Sequence, residues 1–526
     1  MTGAVGRSLR SPVVAVLLVA GLGAWLNFWR LAEAPYKIDE KQWMREGQRS
    51  LQLFLKRDFD DPFWSGDRAT YGYPSAPITK LFIGAALRTG GESVIAQTAG
   101  QSPERLAAGR RSAALAGVVG SLAFLAIARR ILGPEAGLGA ALLLVTSPAW
   151  LSTSRNALAD IHAVCFLLLA TALFLPSWER VHHAVRPWWS LGWFAATGAT
   201  LGIAVGSRFS AGGPAIALGL LGGAGALWLL RSPGSRSRGT ALLAGTALMA
   251  GLATAVFVAG YPYLHEDTLQ RAIGLIGYWE ELWESRIRGE GRFWGWKPAY
   301  RPGLVSVGEL ARLLLLPRGI AAWLLLLAPI GVIWCKRLGP DRARLVGLAL
   351  ATPAFVAGIF GESRILLSWI VWVGFVLALL GTLAGPVRLA TNRRAREAGL
   401  VFAVVVAASL VLTLRQTYVS WPRYYLPLVP ACCVLAAWAF DSLRKSLGRG
   451  ASPGAARTLV GACVLGALSV AASGPAFDAS MRAVAASMRA GSWGAPQALG
   501  LAAATALALT PLLWAAGLRS RHARPA

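Results

Sequence analysis

Long apolar runs, each closed by a short charged stretch, recur from one end of the chain to the other. The first extends from Pro12 to Trp29. Others lie near Leu106–Ala128, Ala136–Leu151, Ile161–Trp178, Trp189–Gly206, Phe209–Leu230 and Thr240–Gly260. The second half adds runs near Gly319–Trp334, Leu345–Phe360, Ile365–Leu383, Ala398–Leu414, Tyr424–Phe440, Thr458–Ser473 and Ala495–Leu518. Each approaches the ~20 residues that a helix needs to cross a hydrocarbon core, so the pattern predicts about fourteen membrane helices. Many of the runs are rich in Gly and Ala, which lets membrane helices approach closely. The expected fold is an all-α polytopic membrane protein. No repeat or low-complexity stretch divides it, so residues 1–526 read as one integral domain.

Two longer polar segments interrupt this rhythm, at residues 31–105 and 261–318. The first opens with Asp39, Glu40, Lys41, Gln42, Trp43 and Met44. Trp43, Gly47, Leu51 and Leu55 then follow at helical spacing, with Lys41, Arg45, Glu46, Arg49 and Lys56 assigned to the other face. That pattern predicts an amphipathic helix lying on the membrane surface. The second segment carries Trp279, Trp283, Trp294 and Trp296 beside Glu280, Glu281 and Glu284. Aromatics at this level either anchor in the headgroup region or line a sugar and lipid groove.

Composition agrees with the pattern. Of 526 residues, 55% are hydrophobic and only 15% charged, too little charge to clothe a soluble protein of this size. The net charge of +27 would suggest a nucleic-acid partner in a soluble chain. Its distribution points elsewhere. With the N-terminus placed in the cytoplasm, alternate connections carry Arg129 and Arg130, then Arg180 and Arg186, then Arg231, Arg236 and Arg238. The later ones carry Lys336 and Arg337, Arg393 and Arg394, Arg444 and Lys445, and finally Arg519, Arg521 and Arg524. Every inside connection is basic, as the positive-inside rule requires. The expectation is a multi-pass plasma (inner) membrane protein with both termini cytoplasmic, surrounded by membrane lipids and with no nucleic-acid partner. The first apolar run is long and lacks a clean cleavage site, so it reads as a retained helix. The five cysteines lie inside or at the ends of apolar segments and read as small buried hydrophobes.

The same threading gathers unusual charge on the outer side. Asp39 and Glu40 follow the first apolar run; Asp39 either caps the next helix or accepts a proton from a hydroxyl. Ser154-Arg155-Asn156-Ala157-Leu158-Ala159-Asp160 forms a tight outer turn. There Arg155 and Asp160 make either an ion pair with each other or part of a phosphate site. Arg208 ends the fifth apolar run, and Arg423 enters the twelfth beside Tyr424. Arginines on the outer side run against the topology signal, so each calls for an anion, either a lipid headgroup or a bound phosphate. A leaving lipid phosphate is already a stable anion, so positive charge aimed at it suffices without a general acid.

These residues resemble the GT-C superfamily of membrane glycosyltransferases, particularly the protein O-mannosyltransferase and aminoarabinose transferase group. The resemblance rests on the Asp39-Glu40 pair, on Ser154, Arg155 and Asp160 at that spacing, on the glycine-rich Gly202–Arg208 segment, and on Arg423-Tyr424-Tyr425-Leu426-Pro427. It implies a GT-C-like bundle and an inverting enzyme that moves a hexosyl or pentosyl unit from a polyprenyl-phosphate-linked donor. The acceptor would be a hydroxyl of a glycan, lipid or protein on the outer face. It further implies Asp39 as catalytic base, Glu40 as its positioning partner and Asp160 in the acceptor or sugar site. Arg155 would contact the donor phosphate, with Arg208 and Arg423 as weaker contacts, and Lys80 and Tyr424 would be acceptor-side loop positions. One element departs from the family: its His-Pro-Pro-Leu stands here as Ser75-Ala76-Pro77-Ile78, followed by Thr79 and Lys80. Without that His no metal ligand is named. No cofactor is firmly implied, and a divalent metal stays open. The competing class is a transporter or flippase of a lipid-linked sugar, but its paired halves and mid-span breaks are not evident in the sequence.

Overall fold

The computed structural model describes residues 11–65, 77–91, 102–183, 187–288, 393–416 and 422–431, with 433–434, 437–438 and 441. The predicted helices at Gly319–Trp334, Leu345–Phe360, Ile365–Leu383, Thr458–Ser473 and Ala495–Leu518 fall outside these residues, as do Ser75, Ala76 and the side chains of Trp279 and Tyr424. Contacts group the chain into two units, residues 1–306 with 383–434 and residues 307–382 with 435–526. In the second unit the described Ala437 and Trp438 are buried helical residues. All that follows concerns the first.

Among the described residues the first unit is helical, with no strand. Helix α1 is Pro12–Phe28. Within residues 31–105, α2 is Ile38–Lys56 and α3 is Ile78–Arg88. Then come α4 (Pro103–Leu132), α5 (Pro134–Thr146), α6 (Pro148–Ser154) and α7 (Ala159–His183). They are followed by α8 (Leu191–Ser207), α9 (Gly212–Arg231) and α10 (Arg236–Ala259). The amphipathic α11 (Thr268–Arg288) lies within residues 261–318, and α12 is Arg393–Gln416. Pro422–Leu428 forms 3-10 turns.

Four segments are long and apolar enough to cross a membrane: Pro103–Leu132, Ala159–His183, Phe209–Arg231 and Arg236–Ala259. Pro12–Phe28 and Pro134–Thr146 are shorter apolar helices. The chain is a helical membrane protein.

Local chemistry sets the ends of these helices. Helix α4 begins where the Ser102 hydroxyl accepts from the Arg105 N–H at 3.2 Å, with Pro103 at the first helical position and Glu104 in the first turn. Arg129 and Arg130 occupy its last turn. Each choice satisfies or complements the groups a helix end leaves exposed. The run read as Ala136–Leu151 is instead two helices, because Pro148 cannot continue the ladder of α5 and starts α6.

Helix α2 forms as the period predicted, and its buried face, with Met44, Gly47 and Leu53, is covered by protein, while Leu55 of the predicted apolar stripe is exposed. Met44 joins Ile83 and Leu87 of α3 and Leu106 of α4 in one buried cluster. Each such side chain contributes roughly 1.5–3 kcal/mol by leaving water. The α2–α3 crossing is tight because Gly47 and Gly84 meet there; a methyl built on Gly47 would lie 2.8 Å from the Lys80 carbonyl oxygen. Glu46, assigned by period to the polar face, is buried as well. Ile78, at the start of α3, presses into a notch between Gly206 at the end of α8 and Gly260 after α10. Helices α2 and α3 are thereby pinned over the ends of the membrane helices.

Candidate active site

Helix α2 brings Asp39 and Glu40 to its first turn. The expected cap at Asp39 is made by Glu40 instead: its Oε2 accepts the Lys37 N–H at 2.9 Å. A glutamate three residues past the cap reaches back this way in a capping box. Glu40 does more than cap. Both oxygens meet the Arg110 guanidinium, Nε to Oε1 and Nη2 to Oε2, each at 2.8 Å. Oε1 also accepts the Ala157 N–H at 2.8 Å. Arg110 turns its remaining donors to the carbonyls of Leu31 (2.9 Å), Ala32 (3.2 Å) and Ala34 (3.0 Å). Glu40 and Arg110 are both 0% exposed. One carboxylate thus ties α2, the segment after α1, α4 and the Ser154–Asp160 turn into one junction.

Around that junction Asp39, Arg423 and Arg208 are partly exposed, while Asp160 is buried. Asp39 Oδ2 is paired with Arg423 Nη2 at 2.7 Å, and the Asp39 side chain is 32% exposed. The 3-10 turns that carry Arg423 pack on α6, α7 and α12. Asp160, at the start of α7, pairs with Arg208 at the end of α8. Arg155 does not pair with Asp160, the ion pair weighed from sequence. Its Nη2 donates to the carbonyls of Trp29 (2.7 Å) and Arg30 (3.0 Å) at the end of α1, and its Nε is buried without a partner. Burial lowers the Arg155 pKa from its ordinary value, and nearby Arg110 lowers it further while Glu33 opposes. An anion at Arg155 would relieve that penalty.

Ser154 is structural: its hydroxyl bonds the Asn27 side-chain oxygen, and Asn27 Nδ2 donates to the Gly23 carbonyl at 2.8 Å. Lys80, an acceptor-side loop position by the resemblance, stands in the first turn of α3. Its Nζ is 3.0 Å from Glu46 Oε2, only 1% exposed, with the rings of Trp43 and Phe63 each 5.9 Å away. Burial lowers its pKa against the opposing pull of Glu46.

Asp39, Glu40, Arg155, Asp160, Arg208 and Arg423 are therefore held at one end of one bundle. Arg110 and Glu46 were missed in the sequence. The available signal for Arg110 was a charge one turn inside an apolar run, where an arginine needs a partner. Among the described residues no three His, Cys, Asp or Glu side chains gather as a metal site would require.

Fold and site define a class: a helical membrane protein with charged side chains gathered at one end of the bundle. Residues 103–261 match the family model described as dolichyl-phosphate-mannose-protein mannosyltransferase. That stretch covers α4 to α10 and holds Arg110, Arg155, Asp160 and Arg208. The resemblance drawn from motifs thus falls on the family that this match names. Among solved structures, the oligosaccharyltransferase of Archaeoglobus fulgidus in the apo form is similar over 88% of this chain and 55% of its own, at 16% identity and a TM-score of 0.44. The oligosaccharyltransferase AglB of that organism, in complex with an inhibitory peptide and a dolichol-phosphate, is similar over 89% and 55%, at 16% identity and 0.45. The chain spans about half the length of those structures. No curated protein matches it in sequence.

Proposed function

We propose that this chain is a GT-C-type glycosyltransferase that moves a sugar from a polyprenyl-phosphate donor to an acceptor hydroxyl at the outer membrane face. The observation that carries this is the Glu40 junction, which ties the first turn of α2, where Asp39 stands, to the Ser154–Asp160 turn through the Ala157 N–H. The match of residues 103–261 to the mannosyltransferase model supports the same chemistry.

In this reading the acceptor oxygen attacks the anomeric carbon as its proton passes to the Asp39 carboxylate. The carbon–oxygen bond to the phosphate breaks in the same step, and the phosphate leaves with the bonding electrons. A single displacement inverts the centre. Arg155 receives the phosphate, since its guanidinium is half-buried with Nε left without a partner, and fixed donors lose little in reorganising toward it. Asp160, oriented by Arg208, holds a hydroxyl of the sugar or acceptor. Arg423 keeps Asp39 aimed at the rim and releases it as substrate enters. Glu40 positions and does not touch substrate, because its oxygens are already filled by Arg110 and two backbone N–H groups. The sugar, the acceptor (glycan, lipid or protein), the complement of about fourteen helices and a topology with both termini inside complete the reading.

Membranes holding the full chain, given a panel of radiolabelled polyprenyl-phosphate sugars, test it. Label appearing in a glycan, lipid or protein fraction is expected for one donor. Movement of labelled lipid between leaflets with no transfer would instead establish a flippase.

A further inference from the structure

We propose that the groove at the arginine-rich end of α4 and α7 binds one anionic phospholipid. The groove has a volume of about 510 Å³. Leu122 and Ala126 of α4 and Leu169 and Leu173 of α7 give it apolar walls, and Arg130 and Arg180 stand in its lining. Both arginines come from the last turns of their helices. The Arg180 guanidinium lies over the Trp193 ring, 4.9 Å from its centre, which orients the group and leaves its N–H edges free to donate. Arg130 Nε is 3.5 Å from Glu179 Oε1, and Arg180 adds a second guanidinium to the lining, so one ion-paired carboxylate is set against two positive charges.

An apolar slot with cations at one end suits one kind of ligand, with an acyl chain along the wall and a phosphate between the arginines. Basic pockets between membrane helices on the positively charged side take anionic headgroups for this reason. The groove is separate from the site proposed for transfer. Arg110 to Arg130, like Asp160 to Arg180, spans about twenty helical residues, or ~30 Å. The lipid would therefore enter from the other leaflet, the one that the connections bearing Arg129, Arg130, Arg231, Arg236 and Arg238 face under the positive-inside rule. The occupant assigned is a membrane phospholipid such as phosphatidylglycerol.

Native mass spectrometry of the full chain, released from micelles holding equal phosphatidylglycerol and phosphatidylcholine, tests the assignment. One phosphatidylglycerol retained in clear preference is expected. The Arg130→Gln/Arg180→Gln variant should lower its retention by about thirtyfold, the order for two arginine–headgroup contacts. Ala126→Trp, which fills the slot and keeps both arginines, should also expel the lipid. Equal retention of the two lipids overturns the proposal. So does wild-type retention in either variant, provided it melts with the wild type, and so does capture of a polyprenyl phosphate in place of phosphatidylglycerol.

Discussion

Two adjacent carboxylates mark two regions at one end of the bundle. Glu40 lies in a closed junction, with Arg110 and two backbone N–H groups on its oxygens and no exposed surface. Asp39, one residue earlier, opens on a rim with Arg423 as its ion-pair partner and about a third of its side chain exposed. Helical geometry turns neighbouring side chains roughly 100° apart, so one turn of α2 serves both regions. The comparison separates architecture from reactivity. A carboxylate that is fully bonded can hold a site together, and one with room beside it can accept a proton.

The largest effect expected falls on the closed region. Arg110→Met leaves Glu40 charged and buried and takes donors from the carbonyls of Leu31, Ala32 and Ala34. Breaking a buried pair in this way costs ~3–5 kcal/mol. Thermal denaturation in detergent checks it, and a variant melting with the wild type would erase the distinction between the two regions.

The Lys80–Glu46 pair beneath Trp43 is a second closed site. Lys80→Met should cost about 3 kcal/mol, while Lys80→Met with Glu46→Leu should recover most of that, because replacing both partners removes the stranded charge. A double variant no better than the single would show that Lys80 acts outside the pair. Gly84→Ala, forced against the Gly47 carbonyl, should destabilise the α2–α3 crossing by ~1–3 kcal/mol, read as faster proteolysis within residues 31–105.

The open region should barely register in stability. Asp39→Asn removes a partly exposed ion pair worth no more than ~1 kcal/mol. If Asp39→Asn melted far below the wild type, Asp39 would belong with Glu40 as part of the frame.

Most of the rim was legible in the sequence because charge at the end of an apolar run is conspicuous. Asp39, Arg155, Asp160, Arg208 and Arg423 stood out that way, and the described membrane helices followed from apolar length. Partner choice was not legible. Spacing offered an Arg155–Asp160 ion pair as one of two readings, whereas the fold brings Arg208 to Asp160 across two helices and sends Arg155 to the carbonyls of Trp29 and Arg30. Arg110 was absorbed into the apolar run that contains it, although its charge there required an anion. The period of α2 correctly gave a helix with an apolar face, but a period cannot say whether lipid or protein covers that face. Here α3 and α4 do, and Glu46 went inside with Lys80. Two signals were present and underused: Glu40 three residues beyond the cap, and Pro148 inside an apolar run.

The transfer rate of Asp39→Asn at saturating donor, in membranes where the variant melts and binds donor as the wild type does, probes the division of labour most directly. A fall of about 100-fold or more, the scale of a lost general base, is expected with donor binding intact. A rate close to that of the wild type would contradict it, leaving Asp39 an ion-pair partner of Arg423 and the rim without its base.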